Sequence, residues 1–78
     1  MHLRVCVVGL GYVGLPLAAL CAIKGHHVVG LDTNYMVVDK INSGYSHLRD
    51  TEVERLMKDA HSSNNLRATT RVSAATNH

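Results

Sequence analysis

The stretch from Val5 to Asp32 constrains the chain more than any other. An apolar run, Leu3 to Val8, leads into Gly9-Leu10-Gly11-Tyr12-Val13-Gly14, the spacing G-x-G-x-x-G. A helix-like segment follows, then a second apolar run, His27 to Leu31, that closes on Asp32. Three glycines alone are weak evidence. The order strand, glycine turn, helix, strand, acid is the context that a dinucleotide-binding turn requires.

Each glycine has its own expected task. Gly9 permits a sharp turn, Gly11 lets the backbone approach a pyrophosphate, and Gly14 lets the helix lie close to the strand. The first helical amides, around Tyr12 and Val13, have no acceptor within the helix, and the helix dipole makes their end attractive to an anion. Asp32 is then placed to accept hydrogen bonds from an adenosine ribose and to repel a 2′-phosphate. No Lys or Arg lies between Gly25 and Asp39 to receive such a phosphate, so the pattern points to NAD rather than NADP.

The absence of charge from Val5 to Ile23, flanked by Arg4 and Lys24, raises a membrane span or signal peptide as an alternative. Gly9, Gly11, Gly14 and Pro16 interrupt that run at the spacing of the nucleotide motif, and the apolar pattern resumes at His27, so no membrane segment is expected. A net charge of +2 with scattered basic residues, and no Trp or Phe, argues against nucleic acid. Cys6 and Cys21 show no metal spacing and sit in apolar runs, so they are expected to be small buried side chains in a reducing cytoplasm. The six histidines form no ligand pattern and are expected at the surface or its boundary.

The remaining elements follow from pattern. The Leu3–Val8 run is expected to be a central strand buried on both faces. A helix is expected over Tyr12–Lys24, with Pro16 tolerated in its first turn. Asn34 is a candidate N-cap for a helix over Tyr35–Ile41, ending at Asn42-Ser43-Gly44. Thr51-x-x-Glu54 resembles a capping box opening a helix whose buried stripe is Val53, Leu56, Met57 and Ala60. Ser62–Asn65 is expected as a loop, Leu66–Thr70 as a third strand, and a last helix is expected to begin near Val72. The fold class is therefore α/β, a partial Rossmann-type doubly wound parallel sheet with order β-α-β-α-α-β and about three strands. Residues 1–78 are expected to form the N-terminal portion of a dinucleotide-binding domain, with no second domain. Right-handed crossovers place the second and third strands on one side of the first and leave its other edge open.

The run Val7-Val8-Gly9-Leu10-Gly11-Tyr12-Val13-Gly14-Leu15-Pro16-Leu17-Ala18 resembles the opening of the UDP-glucose/GDP-mannose dehydrogenase family, the nucleotide-sugar 6-dehydrogenases. The similarity continues through Gly25-His26, Gly30-Leu31-Asp32-x-Asn34, Ile41-Asn42-Ser43-Gly44 and Leu66-Arg67-Ala68-Thr69-Thr70. It implies a cytoplasmic, usually dimeric enzyme that oxidises the primary alcohol of a sugar nucleotide to a carboxylate in two hydride transfers to NAD. The expected cofactor-binding residues are Gly9, Gly11, Tyr12, Val13, Gly14, Asp32 and Asn34. The chain departs from the family pattern at Val37, where a Lys or Arg is usual, at Arg49-Asp50-Thr51, where Glu-Pro is common, and at Arg71, where an acid is common. The family's thiol nucleophile, its Lys and Asn helpers and its sugar-nucleotide contacts lie far downstream. The chain alone is therefore expected to carry no catalytic residue and no dehydrogenase activity, with the sugar nucleotide a partner only of a longer protein. Two alternatives remain at this stage: a stand-alone nucleotide-binding or homo-oligomerising module that uses the open strand edge, and part of another Rossmann dehydrogenase.

Overall fold

The computed structural model describes residues 2–76. Strand β1 (Arg4–Val8), helix α1 (Gly14–Ile23), strand β2 (His27–Leu31), helices α2 (Tyr35–Asn42) and α3 (Thr51–Ser63), strand β3 (Leu66–Thr69) and helix α4 (Val72–Thr76) follow in order. The three strands are parallel in the spatial order β1-β2-β3. The expected α/β class and strand order are both present.

Register fixes which side chains share a face. Val5 and Val7 align with Val28 and Gly30, and these with Leu66 and Ala68. That face receives α1 and α3, and its residues join Leu15, Ala18, Ala19 and Ala22 of α1 and Val53, Met57 and Ala60 of α3 in one core. Alanines dominate the buried side of α1, so helix and sheet approach closely. α2 adds Val37, Val38 and Ile41 to the same core. The departure at position 37 is thereby filled by packing: Val37 faces the interior rather than solvent.

The other sheet face is largely bare. Val29 is buried there and α4 packs against β2 and β3, but Cys6 is exposed and Val8 is 76% exposed. Two expectations are corrected here. Among the described residues β1 is an edge strand covered on one face, not a strand buried on both: Val7 is buried, while Cys6 and Val8 on the other face are exposed. Cys6 is exposed, and Cys21 packs against the core but is only half-buried, so neither is the fully buried thiol expected.

Helix ends differ by small steps from those expected. α1 begins at Gly14, after Val13, rather than at Tyr12. α3 is capped by Asp50, not Thr51: its Oδ1 accepts from the amides of Glu52 and Val53 at 2.9 and 3.2 Å. A carboxylate reaching two orphan amides is a stronger cap than a threonine hydroxyl, and it adds a favourable charge at the helix N-terminus. α3 runs on through Ser62 and Ser63 and stops at Asn64 in the left-handed conformation, φ 59°. The Asn34 cap is as expected, with its side chain accepting from Met36 N at 2.9 Å. At the far edge, the Asn42 side chain donates to Ala68 O and accepts from Ala68 N, at 2.9 and 2.8 Å, and so closes the free side of β3. The last expected helix is α4; the end of the chain expected to continue it, residues 77–78, lies outside the described residues.

Candidate functional site

The strands of an open parallel sheet point their carboxyl ends at one rim, and ligands of such sheets bind there. At that rim β1 ends in the glycine turn and β2 ends in Asp32. Gly9 turns the chain with φ +85°, and its amide bonds Leu31 O at 2.8 Å, which fixes the turn to the end of β2.

Gly14 explains why the helix can start where it does. A Cβ built there would lie 1.7 Å from Gly9 O and 2.9 Å from Gly9 C. No side chain fits between α1 and the turn. Gly11 is the opposite case: a Cβ there would meet no heavy atom within 4 Å. The fold does not need glycine at position 11, so the open space in front of its backbone is available to a ligand. The first helical hydrogen bond is Leu15 N to Gly11 O at 3.0 Å, so the amides of Tyr12, Val13 and Gly14 precede the helical ladder. Tyr12 and Val13 are exposed. The turn and the open edge of β1 border a groove of about 560 Å³ lined by Val8, Gly9, Gly11, Val13, Gly14 and Leu17 among others.

Asp32 is held as an acceptor. Its Oδ2 takes the Leu10 amide at 3.0 Å and its Oδ1 takes the Asn34 amide at 2.9 Å. The Asn34 amide, then the Leu10 amide, pull its pKa below the ordinary 3.8; burial opposes them, and His47 and the Thr33 amide add to the lowering. The carboxylate is thus ionised at neutral pH. It keeps lone pairs beyond those two bonds, enough to accept from a ribose diol. The arrangement fits a dinucleotide: a bare backbone for the pyrophosphate and an anchored anion for the ribose.

Six of the seven expected residues therefore surround one rim: Gly9, Gly11, Tyr12, Val13, Gly14 and Asp32. Asn34 serves them indirectly, through its amide on Asp32 and its side-chain oxygen on α2. One residue escaped sequence reasoning. His47 is half-buried, and its Nε2 donates to the Leu10 carbonyl. It reaches the turn from the connection between α2 and α3, across 37 residues of sequence. No local pattern announces such a contact; Gly44, Ser46 and the buried Leu48 around it mark only a turn.

The comparisons with known proteins agree with this geometry. Residues 3–78 match the model of the UDP-glucose/GDP-mannose dehydrogenase family, NAD binding domain. The chain is similar to the UDP-N-acetyl-D-mannosamine dehydrogenase of Pyrococcus horikoshii, with 44% identity over 90% of this chain and 17% of that protein. It is also similar to the NDP-N-acetyl-D-galactosaminuronic acid dehydrogenase of Ralstonia nicotianae, with 44% identity over 85% of this chain and 16% of that protein. A ternary-complex crystal structure of GDP-mannose dehydrogenase from Pseudomonas aeruginosa superposes with TM-score 0.83 at 32% identity, over 96% of this chain and 17% of that one. The chain thus spans about one sixth of the relatives it matches. Among the described residues no helix is long and apolar enough to cross a membrane; the uncharged run is divided between β1, the turn and α1. From the match over residues 3–78, the chain belongs to the UDP-glucose/GDP-mannose dehydrogenase family, in its NAD-binding domain.

Proposed function

We propose that this chain grips the adenosine and pyrophosphate half of NAD for a nucleotide-sugar dehydrogenase, as the N-terminal portion of its dinucleotide-binding domain. The observation that carries the proposal is Asp32, bonded to the Leu10 amide at 3.0 Å and so fixed beside a turn with open space at Gly11. The backbone at Gly9, Gly11 and Gly14, with the amides of Tyr12 and Val13, receives the pyrophosphate. Asp32 accepts the ribose hydroxyls, and Asn34 holds that carboxylate in place. A 2′-phosphate would meet the Asp32 charge, which sets the preference for NAD over NADP.

NAD supplies a hydride acceptor when bound. In the longer protein the proposed reaction oxidises the primary alcohol of a sugar nucleotide to a carboxylate in two such transfers; the similar proteins of Pyrococcus horikoshii and Ralstonia nicotianae are themselves dehydrogenases of nucleotide sugars. This chain contributes cofactor affinity and orientation to that reaction. Cys6 lies on a strand and Cys21 within α1, neither of them on the carboxyl rim, so neither is assigned the nucleophile's role. The chain alone is therefore inactive. Incubation with NAD and UDP-N-acetylmannosamine or UDP-glucose, followed at the reduced-nicotinamide absorbance, should give no turnover above buffer; turnover would overturn this assignment.

A second reading is favoured by one observation. Among the described residues β1 has no neighbour on its outer side, and Val8 and Cys6 beside that edge are exposed. An open edge of this kind can pair with another copy. Sedimentation of the chain over a concentration series separates the readings: a dimer that survives dilution supports the homo-oligomer, and a monomer refutes it.

A further inference from the structure

We propose that His47 is a positioning residue of the nucleotide site, which fixes the orientation of the Leu10–Gly11 peptide and so presents the turn to the pyrophosphate. The inference rests on the reading of Gly9–Gly14 as the NAD turn, and it assigns a role to a residue outside that motif.

Leu10 is restrained on three sides. Its side chain is fully buried and packs so closely over β2 that a Cβ on Gly30 would lie 2.6 Å from Leu10 Cδ2. Its amide is held by Asp32 Oδ2 at 3.0 Å. Its carbonyl is held by His47 Nε2. Asp32 and the core thus fix the residue, but they leave the peptide plane after it undetermined. The carbonyl of Leu10 and the amide of Gly11 belong to one planar trans unit, so they point in opposite directions. Holding the carbonyl on His47 therefore decides which side of the turn carries the Gly11 N–H.

Glycine is the residue least able to resist a flip of that plane. A flip would exchange the positions of donor and acceptor and put a carbonyl oxygen where the amide was. An oxygen repels a phosphate that the amide would bind. Gly11 must be bare for the ligand to approach, and that bareness leaves its peptide in need of an external restraint, which His47 supplies.

His47 is itself placed rather than loose. Ser46 Oγ accepts from the Leu48 amide at 2.9 Å and donates to the Leu48 carbonyl at 3.2 Å, closing a tight turn around it, and Leu48 is anchored in the core. A carbonyl can only accept, so Nε2 carries the proton. The bond is compatible with the neutral Nε2–H tautomer and with the imidazolium alike.

Two measurements test this in the chain as it stands. The first needs no substitution: long-range ¹⁵N–¹H spectra of the imidazole rings should show neutral His47 as the Nε2–H tautomer. A Nδ1–H tautomer would overturn the proposal. The second compares His47→Leu and His47→Gln with wild type by NAD titration and by exchange of the Gly11 amide without cofactor. His47→Leu should weaken NAD about tenfold and speed Gly11 exchange by a similar factor, the scale of one lost hydrogen bond to a partly buried carbonyl. His47→Gln keeps an N–H donor and should recover most of both. Wild-type affinity and wild-type exchange in His47→Leu would refute the role, as would equal losses in the two variants. If wild type itself fails to bind NAD, the cofactor reading of the turn falls, while the tautomer and the Gly11 exchange still decide whether His47 holds the peptide.

Discussion

Replacing Gly14 with alanine adds one methyl group at the point where α1 passes the glycine turn. That methyl carbon would sit 1.7 Å from Gly9 O, against 3.4 Å for ordinary contact. The obstacle is backbone, and it is itself tied to β2 through Gly9 N and Leu31 O. Neither partner can rotate away, so α1 must lift from the sheet over much of a contact distance. Overpacking of a tight site costs about 1–3 kcal/mol, and a backbone obstacle belongs at the upper end. Alanine returns at most about 1 kcal/mol of helix propensity. The expected net loss is about 2 kcal/mol. A chain of 78 residues has only about 4–12 kcal/mol in total, so the change is large. In urea, with a slope of about 1 kcal/mol/M for a small domain, the midpoint should fall by about 2 M. Gly11→Ala is the matched control. Its methyl meets nothing within 4 Å, so its midpoint should stay within about 0.5 M of wild type. It should nevertheless weaken NAD at least tenfold, because the methyl occupies the approach to the backbone. Equal midpoints for Gly14→Ala and wild type, or a loss in Gly11→Ala as large as in Gly14→Ala, would refute the division of labour between the two glycines.

Other outcomes follow from the same structure. Asp32 has a folded-state pKa below its ordinary value, so its stabilising contribution is complete above about pH 5 and is lost as pH falls through the folded pKa. Urea midpoints of wild type should drop over that acid range, and the part of the drop due to this residue should vanish in Asp32→Asn; identical pH profiles would contradict the anchoring of the carboxylate. Asn42→Ala removes both bonds that close the outer edge of β3 and should cost about 1–2 kcal/mol, with faster exchange of the Ala68 amide as its local sign. An unchanged Ala68 exchange rate would show that the edge is closed by something else. Cys6 is exposed and Cys21 half-buried, so a thiol reagent should modify Cys6 first in the native chain. Modification of both at one rate would contradict the placement of β1 at the open edge.

The parts of the fold that were legible in the sequence are those encoded locally. The turn from β1 into α1 is written in three glycines, each spaced by backbone geometry, and the structure gives Gly9 and Gly14 the tasks expected of them. Asn34 was legible as a cap because capping acts across two residues. Asp50 and Thr51 competed for the same cap, and the preference of adjacent amides for a carboxylate decided it. What stayed hidden depends on distance in sequence or on what lies beside the sheet. β1 has the apolar composition of a strand covered on both faces, but composition does not say whether a neighbour is present, and here one face stays bare. His47 looked like the other five histidines until folding carried it to Leu10. Val37 could be noted as a departure, but only the packing of α2 shows that it points to the core.

The central claim is that the glycine turn and Asp32 already form a site for NAD in this chain. An amide NMR titration with NAD, run beside Asp32→Ala, tests it most directly. The account predicts a dispersed spectrum with shifts concentrated at Gly11, Tyr12, Val13 and Asn34, and a clearly weaker response in the variant. A dispersed spectrum that does not respond to NAD at millimolar concentration, or one whose shifts lie away from that rim and are indifferent to Asp32, would contradict it.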